Sequence, residues 1–167
     1  MRHVISILLE NEAGALSRVV GLFSQRGYNI DSLTVSTTDD PTLSRCTILT
    51  TGEKDEAEQI TKQLHKLVCV FRVSALLDEA EGGLERELVL IKVNTPNRNA
   101  RDEVKSLADI FKARIIDVNA EIFTLEFVGT SDETDNFIST IGKLVEVVEV
   151  VRSGVVGIAK GSHFMKP

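Results

Sequence analysis

Asn11-Glu12-Ala13-Gly14-Ala15-Leu16 joins an apolar run to a helical stripe, and its residue types and spacing suit the binding of a small anion. At a strand-to-helix junction the first helical amides lack intrahelical partners and carry partial positive charge, so a carboxylate can be held there without a basic side chain. Gly14 has no side chain to keep such an anion away from the backbone. Asn11 and Asn29 flank the same expected helix, one at the exit of the first strand and one at the entry to the second. A carboxamide oxygen accepts from an ammonium group, so the two together suit a zwitterion such as an amino acid. A plainer reading stands beside this one, with Gly14 as a tight-turn glycine and Asn11 as a helix cap.

Other chemistries lack their residues. The chain has no G-x-x-x-x-G-K-[ST], no G-x-G-x-x-G after a strand and no H-E-x-x-H, the fingerprints of nucleotide, dinucleotide and zinc-protease sites. His3, His65 and His163 fall in different elements without a second ligand at metal spacing. His65 and Cys69 straddle a helix-to-strand change, which breaks the i, i+4 geometry a ligand pair needs, so no metal is expected. Asp55-Glu56-Glu58 and Asp132-Glu133-Asp135 cluster at expected helix starts, where carboxylates complement the macrodipole rather than form a catalytic pair. No catalytic residue is expected.

Composition narrows the partners. The 167 residues are 43% hydrophobic and 26% charged, which suits a globular chain with a stable core. A formal charge of -6 attracts neither a phosphate backbone nor an anionic lipid surface, so neither nucleic acid nor membrane is an expected partner. With no Trp and a lone Tyr28, single-stranded RNA would find little to stack on. Cys46 and Cys69 sit in apolar runs as reduced buried thiols, which suits a cytoplasmic protein. The apolar run from Val4 to Leu9 is too short to span a membrane and is followed by Glu10-Asn11-Glu12 rather than a cleavage site.

The elements that would carry the loop come in two copies. Sliding Gly52 to Val73 by seventy-seven positions onto Gly129 to Val150 pairs Gly52/Gly129, Asp55/Asp132, Glu56/Glu133, Lys66/Lys143, Leu67/Leu144, Val68/Val145, Val70/Val147 and Val73/Val150. The first half reads as strand His3 to Leu9, helix 15–26, strands Asn29 to Thr37 and Leu43 to Thr51 around an Asp39-Asp40-Pro41 turn, a helix with Ala57, Ile60, Leu64 and Leu67, and strand Cys69 to Leu77. The second reads as strand Glu87 to Val93, a helix with Val104, Leu107, Ala108 and Phe111, strands Arg114 to Asn119 and Glu121 to Val128, a helix from Ser131, and strand Val147 to Ile158. Thr130 and Glu133 have capping-box spacing. The expected class is α+β: two ferredoxin-like βαββαβ sandwiches over 1–77 and 84–167, joined by an acidic, glycine-rich linker at 78–83. Each would leave one sheet face bare, which domain pairing, dimerisation or both are expected to cover.

The stretch Asn11-Glu12-Ala13-Gly14-Ala15-Leu16-Ser17-Arg18-Val19, continued by Gly27-Tyr28-Asn29-Ile30-Asp31-Ser32-Leu33-Thr34-Val35, closely resembles the small regulatory subunit of bacterial acetohydroxyacid synthase, also called acetolactate synthase. The likeness continues through Asp39 to Arg45, Lys62 to Leu67, Arg86-Glu87-Leu88, Ile115 to Val118 and Ser153 to Gly157, and so covers essentially the whole chain. Lys160, where Arg is expected in the family, keeps its charge.

The resemblance implies an N-terminal ACT domain, a βαββαβ amino-acid sensor, followed by a C-terminal ferredoxin-like domain. It implies a homodimer whose ACT domains pair side by side with valine, or another branched-chain amino acid, at their interface. The residues carried over for that site are Asn11, Gly14, Ala15, Leu16, Asn29 and Ile30. The implied function is non-catalytic: to bind and activate the catalytic large subunit and to confer valine feedback inhibition in branched-chain amino-acid synthesis. Thiamine diphosphate, Mg and FAD then belong to the large subunit alone. One alternative is a free-standing ACT sensor with another client. A second is a small enzyme such as an acylphosphatase, which would need an Arg in its phosphate loop, and none lies between Asn11 and Ala15.

Overall fold

Six consecutive residues of the first strand, β1 (Arg2–Glu10), are buried, from Val4 to Leu9. A strand shows alternate side chains to opposite faces, so both faces of β1 must be covered. On one face Ile5, Ile7 and Leu9 meet Ala15, Val19 and Phe23 of α1 (Ala15–Gln25) and Ile60 and Leu64 of α2 (Lys54–Leu64). The computed structural model describes residues 1–76 and 82–167. In it β2 (Ser32–Thr37), β3 (Leu43–Thr51) and β4 (Val70–Leu76) complete an antiparallel sheet of order β2-β3-β1-β4.

The chain then repeats itself as β5 (Gly83–Asn94), α3 (Arg98–Phe111), β6 (Arg114–Val118), β7 (Ile122–Gly129), α4 (Ser131–Leu144) and β8 (Val147–Ala159), with sheet order β6-β7-β5-β8. Both halves are therefore βαββαβ sandwiches of the ferredoxin-like, ACT-type plan. Val89, Ile91 and Val93 of β5 pack against Val104, Leu107, Phe137 and Ile141 from α3 and α4. Arg152 closes this second unit with a fork onto Glu87, at 2.7 and 2.8 Å, and a third bond to Asp135. Glu87 is only 4% exposed, and its hydrogen bonds raise the Arg152 pKa and so hold the guanidinium charged.

The repeat has a mechanical origin. Glu53 with Glu56 and Thr130 with Glu133 each form a reciprocal capping box at the start of α2 and α4. The returning carboxylate needs room: a Cβ on Gly52 would lie 2.6 Å from Glu56 Oε2, and one on Gly129 would lie 2.7 Å from Glu133 Oε2. The glycine and the glutamate four residues later are thus one device used twice.

Several boundaries differ from expectation for local reasons. β2 begins at Ser32 rather than Asn29, because Asn29 bonds locally to Asp31 and its carbonyl accepts from Thr50 Oγ1. β5 begins at Gly83 rather than Glu87. Of the expected linker, residues 78–81 lie outside the described residues, as does Leu77; Gly82 is a turn residue at φ +110°.

The compact units also divide the chain differently from 1–77 and 84–167: one is Met1–Glu85 with Val155–Pro167, the other Arg86–Gly154. Within the first unit the helix-free face of the sheet, which pairing with another domain or copy was expected to cover, is covered by the end of β8. Val155 N donates to Ser32 Oγ, and Thr34 Oγ1 donates to Val155 O. Arg45 donates to Gly157 O, and a Cβ on Gly157 would collide with Leu76 Cδ1. A side chain at this position would have to push the end of Leu76 aside, and glycine lets the backbone lie close on the sheet without that shift.

Candidate functional site

β1 ends where Glu10 N donates to Cys69 O, and the backbone then turns under the β2–β3 hairpin. Asn11 is tied to that hairpin three ways: its backbone N–H donates to Thr42 O at 2.8 Å, Nδ2 donates to Pro41 O at 2.9 Å, and Oδ1 accepts from Ser44 Oγ at 3.1 Å. The hairpin is itself locked by Asp40, which accepts from the amide and hydroxyl of Thr42; these bonds hold its carboxyl below the usual range. Asn11 is therefore a staple between β1 and the hairpin and not the helix cap that its position allows.

The cap position of α1 belongs to Gly14, at φ +89°, and no side chain completes it. Ala15 N turns back to Glu12 O and Arg18 N reaches Gly14 O. The amides of Leu16 and Ser17 between them have no partner among the described residues. A Cβ built on Gly14 meets nothing within 4 Å, so the cap position itself is open. Ala15 is buried against the core while Leu16 is half-buried, so Ala15 offers backbone alone and Leu16 adds an apolar edge. Unpaired amides at the start of a helix are the kind of donor that can take an anion.

Asn29 and Ile30 lie elsewhere. Asn29 is exposed, donates through Nδ2 to Asp31 Oδ1 at 2.6 Å, and leaves its own Oδ1 without a partner among the described residues. Asp31 is set in turn by Thr51 Oγ1 and by its amide bond to Leu49 O. Ser44, bonded to Asn11, and Thr50, bonded to Asn29, stand six residues apart on β3, about 20 Å of strand. The expected residues therefore form two groups at opposite ends of one sheet: Asn11, Gly14, Ala15 and Leu16 at one, Asn29 and Ile30 at the other. Flanking one helix in sequence separates them in space by that helix's length.

Sequence reasoning missed Ser44, Pro41, Asp31 and Thr50, which orient the two asparagines. Strand register, Leu9 opposite Ser44 in particular, is what reveals them. The two cysteines are free and buried, and burial pushes the Cys46 thiol up to about 12, which removes it from nucleophilic chemistry. Among the described residues no three His, Cys, Asp or Glu side chains converge as a metal site, and no helix is long and apolar enough to cross a membrane.

Residues 5–72 match the model of the AHAS small subunit-like ACT domain, and residues 86–161 match that of the small subunit of acetolactate synthase. Over 99% of its length this chain is 54% identical to the whole of acetolactate synthase isozyme 3 small subunit from Escherichia coli. The chain belongs to the acetolactate synthase small-subunit family. A small subunit from Haemophilus influenzae is 53% identical over 96% of the chain and 97% of its own length. The fold agrees over the same extent: the crystal structure of the acetolactate synthase small subunit from Thermotoga maritima superposes with a TM-score of 0.86 at 36% identity, over 98% of this chain and 99% of that one. As a member of this family of small subunits the chain is read as regulatory, with an ACT domain in its first half.

Proposed function

We propose that this chain binds and activates the catalytic large subunit of acetolactate synthase and makes that enzyme sensitive to valine, with the effector bound between two copies of the chain. The separation of the two asparagines supports the last point. No amino acid the size of valine reaches from the amides at Leu16 to Asn29 Oδ1 within one chain. β2 is an edge strand of its sheet, and Val35 on it is 43% exposed. Two β2 edges brought together about a twofold axis run antiparallel, which sets the Asn29 end of one copy beside the hairpin and the Asn11 end of the other. The α1 amides of one copy then take the carboxylate, Asn29 of the other takes the ammonium, and Leu16 and Ile30 meet the isopropyl group. Thiamine diphosphate, Mg and FAD are assigned to the large subunit, whose name as partner is implied by that of the family.

Asn29→Ala tests the assignment with the core intact. Loss of one hydrogen bond to an ammonium group costs roughly 1.5 to 3 kcal/mol, a ten- to hundredfold weaker valine site, so the variant should activate normally yet resist valine. Mixed dimers test the sharing. In homodimers Gly14→Asp or Asn29→Ala damages both sites, but a dimer of one copy of each concentrates both lesions in one site and leaves the other whole. Recovery of tight valine binding at half the wild-type stoichiometry is expected; no recovery would place both residues in one copy's site. A free-standing sensor with another client would instead bind valine and leave the large subunit's rate untouched.

A further inference from the structure

β2 lies at the edge of its sheet beside β3, yet its side chains also grip a second stretch of backbone. Leu33 packs against the core that α1 and α2 help to form, so Ser32 and Thr34 on either side of it leave the opposite face. Both close on one residue: Val155 N donates to Ser32 Oγ at 2.9 Å, and Thr34 Oγ1 donates to Val155 O at 2.8 Å. The two hydroxyls thus occupy the donor and the acceptor of a single residue, which is buried. Gly154 before it takes a left-handed backbone, at φ +85°, and beyond it Arg45 donates to Gly157 O. β8 is not a strand of this sheet, and side chains of β2 and β3 hold its end there.

This clamp starts two residues beyond Asn29 and Ile30 of the effector group, and the path between them is tied down. Asn29 Nδ2 donates to Asp31 Oδ1, and Thr51 Oγ1 donates to Asp31 Oδ2. Asp31 N donates to Leu49 O, and Ser32 stands opposite the same Leu49. A displacement of Asn29 is therefore passed along hydrogen bonds to Ser32 and is not absorbed as slack in a loop. On the far side of the clamp, Val155 continues a strand that begins at Val147, among the residues of the unit Arg86–Gly154.

We infer that Ser32 and Thr34 are positioning residues that couple the effector site to β8, so that a ligand at Asn29 acts on the large subunit by way of Val155. The inference rests on the valine reading above and adds the step that follows binding. An effector changes activity only where its binding is coupled to a second state of the complex. With the clamp cut, valine still binds, because both hydroxyls are spent on Val155, but its occupancy no longer reaches β8.

The test pairs calorimetric titration of the full chain with valine and acetolactate formation by large subunit plus chain. Three chains are compared: wild type, Ser32→Ala with Thr34→Val, and Ser32→Thr with Thr34→Ser, which keeps both hydroxyls. The hydroxyl-free chain is expected to activate as wild type does and to bind valine within about threefold of it. At saturating valine its mixture should nonetheless keep an activity at least about threefold above that of the wild-type mixture. The chain that keeps both hydroxyls should be inhibited as wild type is, a rescue that a general loosening of β2 would not give. Full inhibition with the hydroxyl-free chain, or no rescue in the other, overturns the inference. Loss of valine binding or of activation in the hydroxyl-free chain overturns it too, because the hydroxyls would then belong to the effector site or to the fold itself. Failure of the wild-type chain to bind valine is a distinct result, which overturns the effector reading and this inference with it.

Discussion

Gly14→Asp is expected to abolish valine binding, weakening it at least a hundredfold, while the chain stays folded. The residue sits at φ +89° with open space where a side chain would project. Aspartate is among the few side chains that tolerate a left-handed backbone, at a strain of about 1 to 2 kcal/mol. Its carboxylate then lies beside the Leu16 and Ser17 amides, takes the place of the ligand's carboxylate and repels it. Gly14→Ala separates the two effects, since it carries the strain without the charge and should keep most of the affinity. Calorimetry on the wild type should give a micromolar to millimolar site, roughly -4 to -8 kcal/mol. Unchanged valine affinity in the aspartate variant would refute the placement of the carboxylate.

Phe137→Ala should destabilise the second unit by about 3 to 5 kcal/mol. The ring is fully buried, stacked on Phe127 at 4.7 Å between centroids and met edge-on by Phe111 at 5.3 Å. A unit that runs only from Arg86 to Gly154 has a small core, and a loss of this size is comparable to the whole stability such a core supplies. Denaturant titration should show the variant's midpoint far below that of the wild type, with early unfolding of this unit. A loss under about 1 kcal/mol would mean that the three-ring cluster is not what holds α3 and α4 to the sheet.

The twofold βαββαβ plan was legible because it rests on local signals: helical stripes such as Ile60 and Leu64, the Asp39-Asp40-Pro41 turn, and the capping box at Thr130 and Glu133. The recurrence of Gly52 and Glu56 as Gly129 and Glu133 was visible as identity, although its cause, a carboxylate filling the space of a missing Cβ, needed coordinates. What was not legible depends on register and on distant strands. Asn29 to Asp31 has strand-like composition, yet Thr50 and Asp31 hold Asn29 outside β2. Asn11 reads as a cap because its partners, Pro41 and Ser44, are thirty and thirty-three positions away. Val155 and Gly157 read as the continuation of an apolar strand, and nothing in their own pattern says that Ser32, Thr34 and Arg45 hold them against the first sheet. The same limit made Asn11 and Asn29 look like neighbours, when β3 sets them at opposite ends of the fold.

We propose that this chain regulates acetolactate synthase and leaves the chemistry to the large subunit. The most direct measurement is acetolactate formation by purified large subunit, by purified chain, and by the two mixed, with valine titrated from none to saturation. The chain alone should give no turnover, the large subunit alone a low rate indifferent to valine, and the mixture a higher rate that valine returns toward the low one. Turnover by the chain alone, or a mixture no faster and no more valine-sensitive than the large subunit by itself, would contradict the account.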